Sequence, residues 1–305
     1  MAAVIRSNVG SGYLQTYLNK TVLENFEPEL QFYKMATKGS QPSGYNVVSW
    51  ARYSKLTLTA GQAALAEGTT PTETAFSASV ITASPTQYGM FVIASDVLLK
   101  VDPINVLSGA GKELGNNLAR IVDAVIQDEL DTGTNVNYAG GATQRTGLSS
   151  TMTLTGSDIR KAAVKLDGLN APKFDSGYVA VAHPFVIGDL LGETATGGLI
   201  DSAKYATPDR IFKGEIGMLY GVRIVSSSNV QTYASTTTVY PTFVMGRGAI
   251  GVNDFAAMET LMVMPKATES DPLAQRATVG VKVLFATKLL QNDSVVRVES
   301  AAGSY

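Results

Sequence analysis

Asp102–Gly133 reads DPINVLSGAGKELGNNLARIVDAVIQDELDTG. Leu107, Ala110, Leu114, Leu118, Ile121 and Val125 recur every three or four residues, which places them on one stripe of a helix. Lys112, Glu113, Asn116, Arg120, Asp123 and Gln127 take the other sides, and Gly133 supplies a stop. About 25 residues at 1.5 Å each make a rod of nearly 40 Å. A rod of that length suits a structural spine, and the rest of the chain is read around it.

On the N-terminal side, NVVSWARYSKLTLTAG and TAFSASVITASPTQYGMFVIAS alternate apolar and polar residues as strands do. Leu56 and Leu58 share one strand face, as do Phe76, Ala78 and Val80. Between the two runs lies QAALAEGTTPTE, a loop punctuated by Gly68 and Pro71. The whole is a long two-stranded excursion. An isolated hairpin is only marginally stable in water, and long free edges invite pairing with other chains. The excursion is therefore expected to rest on another subunit. Before it, SGYLQTYLNKTVLENF forms a short amphipathic helix, and Phe26, Phe32, Tyr33 and Met35 follow with no local partner. That arm needs a further surface, on its own domain or on a neighbour.

On the C-terminal side, LTGSDIRKAAVKLDG is a second helix, with Ser157 as N-cap, Gly168 just past its end, and Ile159, Ala162, Ala163 and Leu166 on its buried face. SGYVAVAHPFVIGDLLGE reads as strand, His-Pro, helix, with Pro184 in the first helical turn. YGVRIVSSS and YPTFVMGRGAIGVNDF are further strands, and RATVGVKVLFATKLLQNDSVVRVES is two strands around a QNDS turn. The fold class is α+β, with strands outnumbering helices.

Catalytic patterns are poorly supported. Lys213–Val225, KGEIGMLYGVRIV, spaces Gly214, Gly217 and Gly221 three and four apart. A phosphate-binding loop would end in Lys-Ser or Lys-Thr and open a helix. Here a β-branched strand follows, so no helix N-terminus is available to meet a phosphate. His183 is the single histidine, no G-x-S-x-G elbow accompanies it, and a lone His before a helix start is ordinarily structural. DTGTNVN, Asp131–Asn137, lacks the spacing of a calcium loop and reads as turns closing the spine. Asp128 and Glu129 are adjacent on a helix and point apart. No catalytic, cofactor-binding or metal-binding residue is assigned, and no cofactor is expected.

Composition agrees. The chain has 305 residues, a net charge of −2 and no cysteine, which removes disulfides and thiolate chemistry. No clustered basic run suits phosphate-backbone binding. The N-terminus lacks the apolar core of a secretory signal, and no apolar run is long enough to span a membrane. Charged residues make up 16%, against about 25% in typical soluble domains. Either extensive burial between subunits or a Ser/Thr/Gly-rich β surface accounts for that.

Several motifs in order carry a resemblance: ALAEGTTPT (64–72), QYGMFVIASDVL (87–98), the spine ending in DELDTGTNVNYAGG (128–141), DIRKAAVKLDGLNAPKF (158–174), YVAVAHPFVIGDLL (178–191), DRIFKGEIGMLYGVRIVSSS (209–228) and DPLAQRATVGVKVLFATKLLQNDSVVRVE (271–299). Together the series resembles the major capsid proteins of tailed double-stranded DNA phages, with the Hong Kong 97 (HK97)-like fold, and is most similar to the phage N4 type.

The resemblance implies an N-terminal arm (1–45), an extended loop (46–90), a peripheral domain with the spine helix (91–152), an axial domain (153–265) and closing strands that return to the peripheral domain (266–305). It implies pentamers and hexamers tiling an icosahedral virion shell around double-stranded DNA, assembled in the host cytoplasm, with no sequence-specific DNA contact and no membrane partner. Portal, decoration and scaffolding proteins are the implied partners, and an encapsulin-like cellular nanocompartment shell is the alternative. Trp50, Arg52, Lys55, Glu67 and Glu73 on the extended loop, with Phe26, Phe32 and Tyr33 on the arm, are the candidate inter-subunit contacts.

Overall fold

The structure, a computed structural model, describes residues 31–39, 46–54, 56, 64–65, 67–68, 70, 73–74, 76–101, 106–175, 177–193, 217–267 and 271–303. The helix expected at 11–26, together with Phe26, Lys55, Leu58 and Gly214, lies outside the described residues.

The described residues begin with a single-turn helix α1 (Gln31–Met35) and a two-residue strand β1 (Thr37–Lys38), then the hairpin strands β2 (Val48–Tyr53) and β3 (Ala78–Ala83). Strand β4 (Thr86–Ser95) leads through α2 (Asp96–Val101) to the spine, α3 (Val106–Asp131), 26 residues and about 39 Å long. Then come β5 (Val136–Tyr138), α4 (Gly156–Gly168), β6 (Tyr178–Ala182), α5 (Pro184–Gly192), β7 (Met218–Leu219), β8 (Val222–Ser226), β9 (Tyr233–Ala234) and β10 (Thr238–Met245). The chain closes with β11 (Ile250–Val263), β12 (Arg276–Leu289) and β13 (Val295–Ser300).

These strands form a four-stranded sheet ordered β1-β11-β12-β4, a larger sheet ordered β5-β13-β10-β6-β8-β7, and the separate hairpin β2-β3. Alternation along β12 sends Ala277, Val279, Val281, Val283 and Phe285 to one face, where α3 covers them. The larger sheet is buried on both sides at its centre. Val181, Phe243, Met245 and Val295 join the spine core, while Ala180, Ala182, Val244, Val296 and Val298 join a second core under α4 and α5. This explains why YVAVA reads as a continuous apolar run and is buried along its whole length.

The spine differs from its expected stripe. Leu107, Leu114, Leu118, Val122, Ile126 and Leu130 are buried, Ile121 and Val125 are half-buried, and Asp123 and Gln127 are buried rather than solvent-facing. Steps of four residues advance about 40° around a helix, so the buried line spirals. It meets the four-stranded sheet on one side and α1 with the segment before β9 on the other. Gln127 Oε1 accepts from Gln231 N (3.1 Å), and Asn229 Nδ2 donates to Arg120 O (3.0 Å).

Caps differ by a residue or two. Thr155, not Ser157, precedes α4, and Asn170 with φ 54° follows it in the left-handed conformation expected of Gly168. The QNDS turn does not close a hairpin. The single 3-10 turn Asn292–Ser294 hands the chain from one sheet to the other, β12 pairing with β11 and β4, and β13 with β10 and β5. Strand pairing also groups Thr86–Met90 and Ile250–Val263 with the spine's sheet, and Val295–Ser300 with the larger one. The expected boundary at 90 thus falls inside β4, and the one at 265 falls between β11 and β12, which are neighbours in the spine's sheet. Register shifts between Asp254, Ala256 and Glu259 break the period of two in β11, which hid its length from a pattern reading.

An ionic cluster joins the two halves. Arg145 grips Glu299 with both ends of its guanidinium (Nε to Oε2 2.7 Å, Nη2 to Oε1 2.6 Å). Arg297 Nε lies 2.8 Å from the same carboxylate, and its Nη1 donates to the Asp131 carbonyl (2.6 Å) and side chain (2.5 Å) at the end of α3. That places a cation on the negative end of the spine dipole. The Tyr233 hydroxyl donates to Asp131, and its ring lies 3.8 Å beneath the Arg145 guanidinium. Burial and the Asp131 carboxylate push the Tyr233 hydroxyl pKa up, and the hydrogen bond to Glu299 raises that of Arg145.

Glu299 has no exposed surface. Removing it strands Arg297 in a buried site, so Glu299→Ala is expected to destabilise the free subunit by about 3–5 kcal/mol, read from urea unfolding.

Candidate assembly surface

The candidate surface is built from the hairpin, the outer face of the four-stranded sheet, and the arm. The hairpin runs in unbroken antiparallel register from Val48↔Ala83 to Tyr53↔Ala78. Its base is tethered to the chain's own body. Val48 and Ala83 pack on Ala286, with Trp50 and Phe255 beside them, and the Trp50 ring closes on Gly251, where an added Cβ would lie 3.1 Å from it. Toward its far end Tyr53 stacks on Phe76 (5.2 Å between rings), yet Tyr53, Phe76 and Val80 are all more than half exposed. Arg52, Glu67 and Glu73 are exposed as well.

Ala286 lies on the face of the sheet opposite the spine, so the hairpin base covers one end of that outer face. Across the middle, Lys282 pairs with Glu259 (2.8 Å). At the other end the face is bare. Register aligns Phe91 with Gly280 and Leu261, and Ile93 with Thr278 and Val263. Phe91, Ile93, Leu261 and Val263 are 66%, 52%, 45% and 59% exposed, around a glycine and a threonine that offer them little cover. Sequence reading missed this patch. Its signal lay in MFVIA, apolar on both strand faces although β4 ends up at an edge, and in the LMV that closes β11.

The arm is docked on its own subunit. Phe32 is 1% exposed and meets Phe243 edge-on at 5.8 Å, so it has no surface left for a neighbour. Tyr33 packs against the spine core, bonds the Asp254 carboxylate through its hydroxyl, and lies under Lys38 Nζ at 4.7 Å. Asp123, with no exposed surface, accepts from the backbone N–H of Gln31 (2.8 Å) and of Tyr33 (3.3 Å). Burial raises its pKa to about 6, while bonds from Gln31, Tyr33 and Phe32 and the charge of Lys34 pull the other way.

The features that hinted at catalysis have structural roles. His183 is the N-cap of α5, its Nδ1 accepting from Phe185 N (3.2 Å), with Phe185 and Tyr240 rings at 4.7 and 5.0 Å. Burial lowers its pKa. Tyr220 and Gly221 both have positive φ between β7 and β8, as a tight two-residue hairpin turn demands. The Gly221 carbonyl comes so close to Gly177 that a Cβ there would lie 2.2 Å from it. Asp131 is bound to Arg297, and Glu129 to Lys288 at 2.8 Å. Two clefts open on the described surface, about 340 Å³ beside Tyr88 and Glu129 and about 530 Å³ beside Arg52 and Asp293, and neither includes His183. Among the described residues no cluster of His, Asp and Glu could hold a metal, and no described helix is long and apolar enough to cross a membrane.

A sequence profile of the family described as phage capsid protein matches residues 78–298. The chain belongs to the phage capsid protein family. Solved capsid structures share its fold. They include Ralstonia phage GP4 (17% identity, TM-score 0.68, 88% of each chain covered), cyanophage P-SCSP1u (16%, 0.67, 90% of this chain and 89% of that one) and cyanophage Pam1 (15%, 0.69, 92% and 93%). No curated protein matches the chain significantly. This capsid protein therefore has the α+β, HK97-like fold and is a structural component of a bacteriophage shell rather than an enzyme.

Leu261→Asp places a charge in the bare patch without touching either core, so it should block particle formation in a sedimentation assay while shifting the free subunit's unfolding by less than about 0.5 kcal/mol. The folded pKa of Asp123 lies above its ordinary value of 3.8, so arm docking is fully supported below that value and weakens as pH rises through about 6. After correction for intrinsic rates, amide exchange at Gln31–Met35 should be slower at about pH 5 than at about pH 7.5, and Asp123→Asn should flatten that dependence.

Proposed function

We propose that copies of this capsid protein gather into pentamers and hexamers that tile an icosahedral head around the double-stranded DNA of a tailed phage. The observation that carries the reading is a pair of uncovered apolar surfaces on one charge-poor chain: the far end of the hairpin and the bare outer face of the four-stranded sheet. Each patch side chain is worth about 1.5–3 kcal/mol on full burial. One such contact is modest. Many per subunit, closed by symmetry, hold a shell.

On this reading residues before β2 form the arm, the hairpin with its connecting segment is the extended loop, α3 and its sheet are the peripheral part, and the sheet under α4 and α5 is the axial part. Arg52, Glu67, Glu73 and Lys55 are rim charges that set register between neighbours and are worth little individually. The same face takes Tyr53, Phe76 and Val80 from an adjacent copy. The order of the motifs supports a likeness to the phage N4 type. A net charge of −2 lets an inner wall enclose DNA without gripping it. Portal, scaffolding and decoration proteins are the further partners, with assembly in the host cytoplasm. The family match favours a phage head over a cellular nanocompartment.

The test is assembly of the purified protein, read by sedimentation and negative-stain microscopy. Closed particles are expected from the wild type. Replacing residues 54–77 by a short Asn-Gly turn should leave a folded subunit with its β2-β3 ladder and abolish closed particles. A wild-type protein that stays monomeric across salt and concentration contradicts the proposal.

A further inference from the structure

Helix α5 begins in an uncommon way. Its N-cap position, which Ser, Thr, Asp or Asn ordinarily fills, is held by His183, the single histidine of the chain. Pro184 at the first helical position has no N–H, and Ile187 N already bonds the His183 carbonyl (3.1 Å). The Phe185 N–H is therefore the first donor the helix must satisfy, and the His183 ring accepts it through Nδ1 (3.2 Å). The Phe185 and Tyr240 rings flank the imidazole at 4.7 and 5.0 Å.

That bond exists in one protonation state only. With a proton on Nδ1 the ring is a donor at both nitrogens and meets the Phe185 N–H donor to donor. The same proton sets a positive charge on the positive end of the α5 dipole. β10 contributes Tyr240 to the surroundings, opposite Ser300 of β13. Alternation turns Arg223 of β8, and Arg297 and Glu299 of β13, to the other side of the sheet. The carboxylates of the two helices on this side are committed elsewhere. Asp158 of α4 is taken up by the Thr155 hydroxyl (2.8 Å) and Lys161 (3.1 Å), and Asp189 of α5 accepts from Gly303 N (2.8 Å).

Burial lowers the His183 pKa. The neutral ring is thus the form the fold prefers, so the contribution of the cap is fully present above the ordinary value of 6.5 and is lost as pH falls through the lower, folded value. Asp123 responds in the opposite sense, on the arm. More than one turn depends on this cap. α5 seats Val186, Ile187 and Leu190 in the second core. It also carries two clasps. Asp189 holds the backbone at Gly303, and Glu193, just past the helix, accepts from the N–H of Gly156 (2.7 Å), the first residue of α4.

We propose that His183 is a proton switch: neutral, it fastens the first turn of α5, and protonated in mild acid it frees that turn and loosens the two clasps behind it. The switch belongs to the folded subunit and does not depend on the shell reading.

A lone histidine can be followed without ambiguity. The ring signals of the full-length protein carrying labelled histidine, titrated by NMR from about pH 8 to about pH 4.5, should give a midpoint below 6.5. Over the same range, amide exchange corrected for intrinsic rates should rise severalfold at Phe185–Ile187, and with it at Gly156 and Gly303. His183→Asn keeps an acceptor at the cap that does not titrate, so it should hold α5 protected in acid and remove the pH dependence. His183→Ala lacks the acceptor and should raise exchange there in acid and at neutral pH alike. A midpoint at or above 6.5, the outcome if the flanking rings favour the cation, overturns the proposal. An equal acid response in His183→Asn and in the wild type also overturns it, because the titrating group then lies elsewhere. A response confined to Phe185–Ile187 overturns the loosening of the clasps.

Discussion

Glu299 sits without solvent between Arg145 and Arg297, and the relative placement of the two halves depends on it. β13 alternates so that Val296 and Val298 enter the second core, under α4 and α5, while Val295, Arg297 and Glu299 face the spine side. A slip of one residue against β10 would drive both charges into the apolar core under α4, so the ion cluster specifies register more than it adds stability. Through Arg297 the same cluster holds the last carbonyl of α3, so the spine ends where the larger sheet begins. The 3-10 turn at Asn292–Ser294 supports this junction, with Asn292 accepting from Thr134 N (2.8 Å) and donating to the Thr134 hydroxyl (2.9 Å).

The folded subunit leaves apolar surface uncovered. The outer face of the spine's sheet is covered at one end by the hairpin base and left bare at the other, and the hairpin's own far end is uncovered. Two different uncovered apolar surfaces on one chain suit a heterologous, symmetry-closed contact. The arm is different in kind, since Phe32 and Asp123 fix its described part to the subunit that carries it.

Much of the element order was legible beforehand. The spine's length, the hairpin's inability to bury itself, and the buried face of α4 all followed from periodicity, because each depends on neighbours three, four or two residues away. The dismissal of the glycine motif followed likewise from the β-branched run after Gly221. What escaped the pattern was long-range. Asp123 and Gln127 looked solvent-facing because nothing local indicates a second layer over the spine, and Phe32 looked available to a neighbour because its partner, Phe243, lies far along the chain. The length of β11 was hidden by its bulges, and the division of the closing strands between two sheets by a turn that resembles a hairpin loop.

The sequence by itself determined the spine helix, α4 and the run of longer strands, that no catalytic pattern survives its own spacing rules, and that the hairpin needs support beyond itself. Those properties rest on local periodicity and composition. Only the tertiary structure decided which strand lies at an edge, which end of the sheet face stays bare, and which charges are buried together. Those properties arise from contacts between residues far apart in the chain, where one strand's apolar face becomes core or surface according to what packs over it.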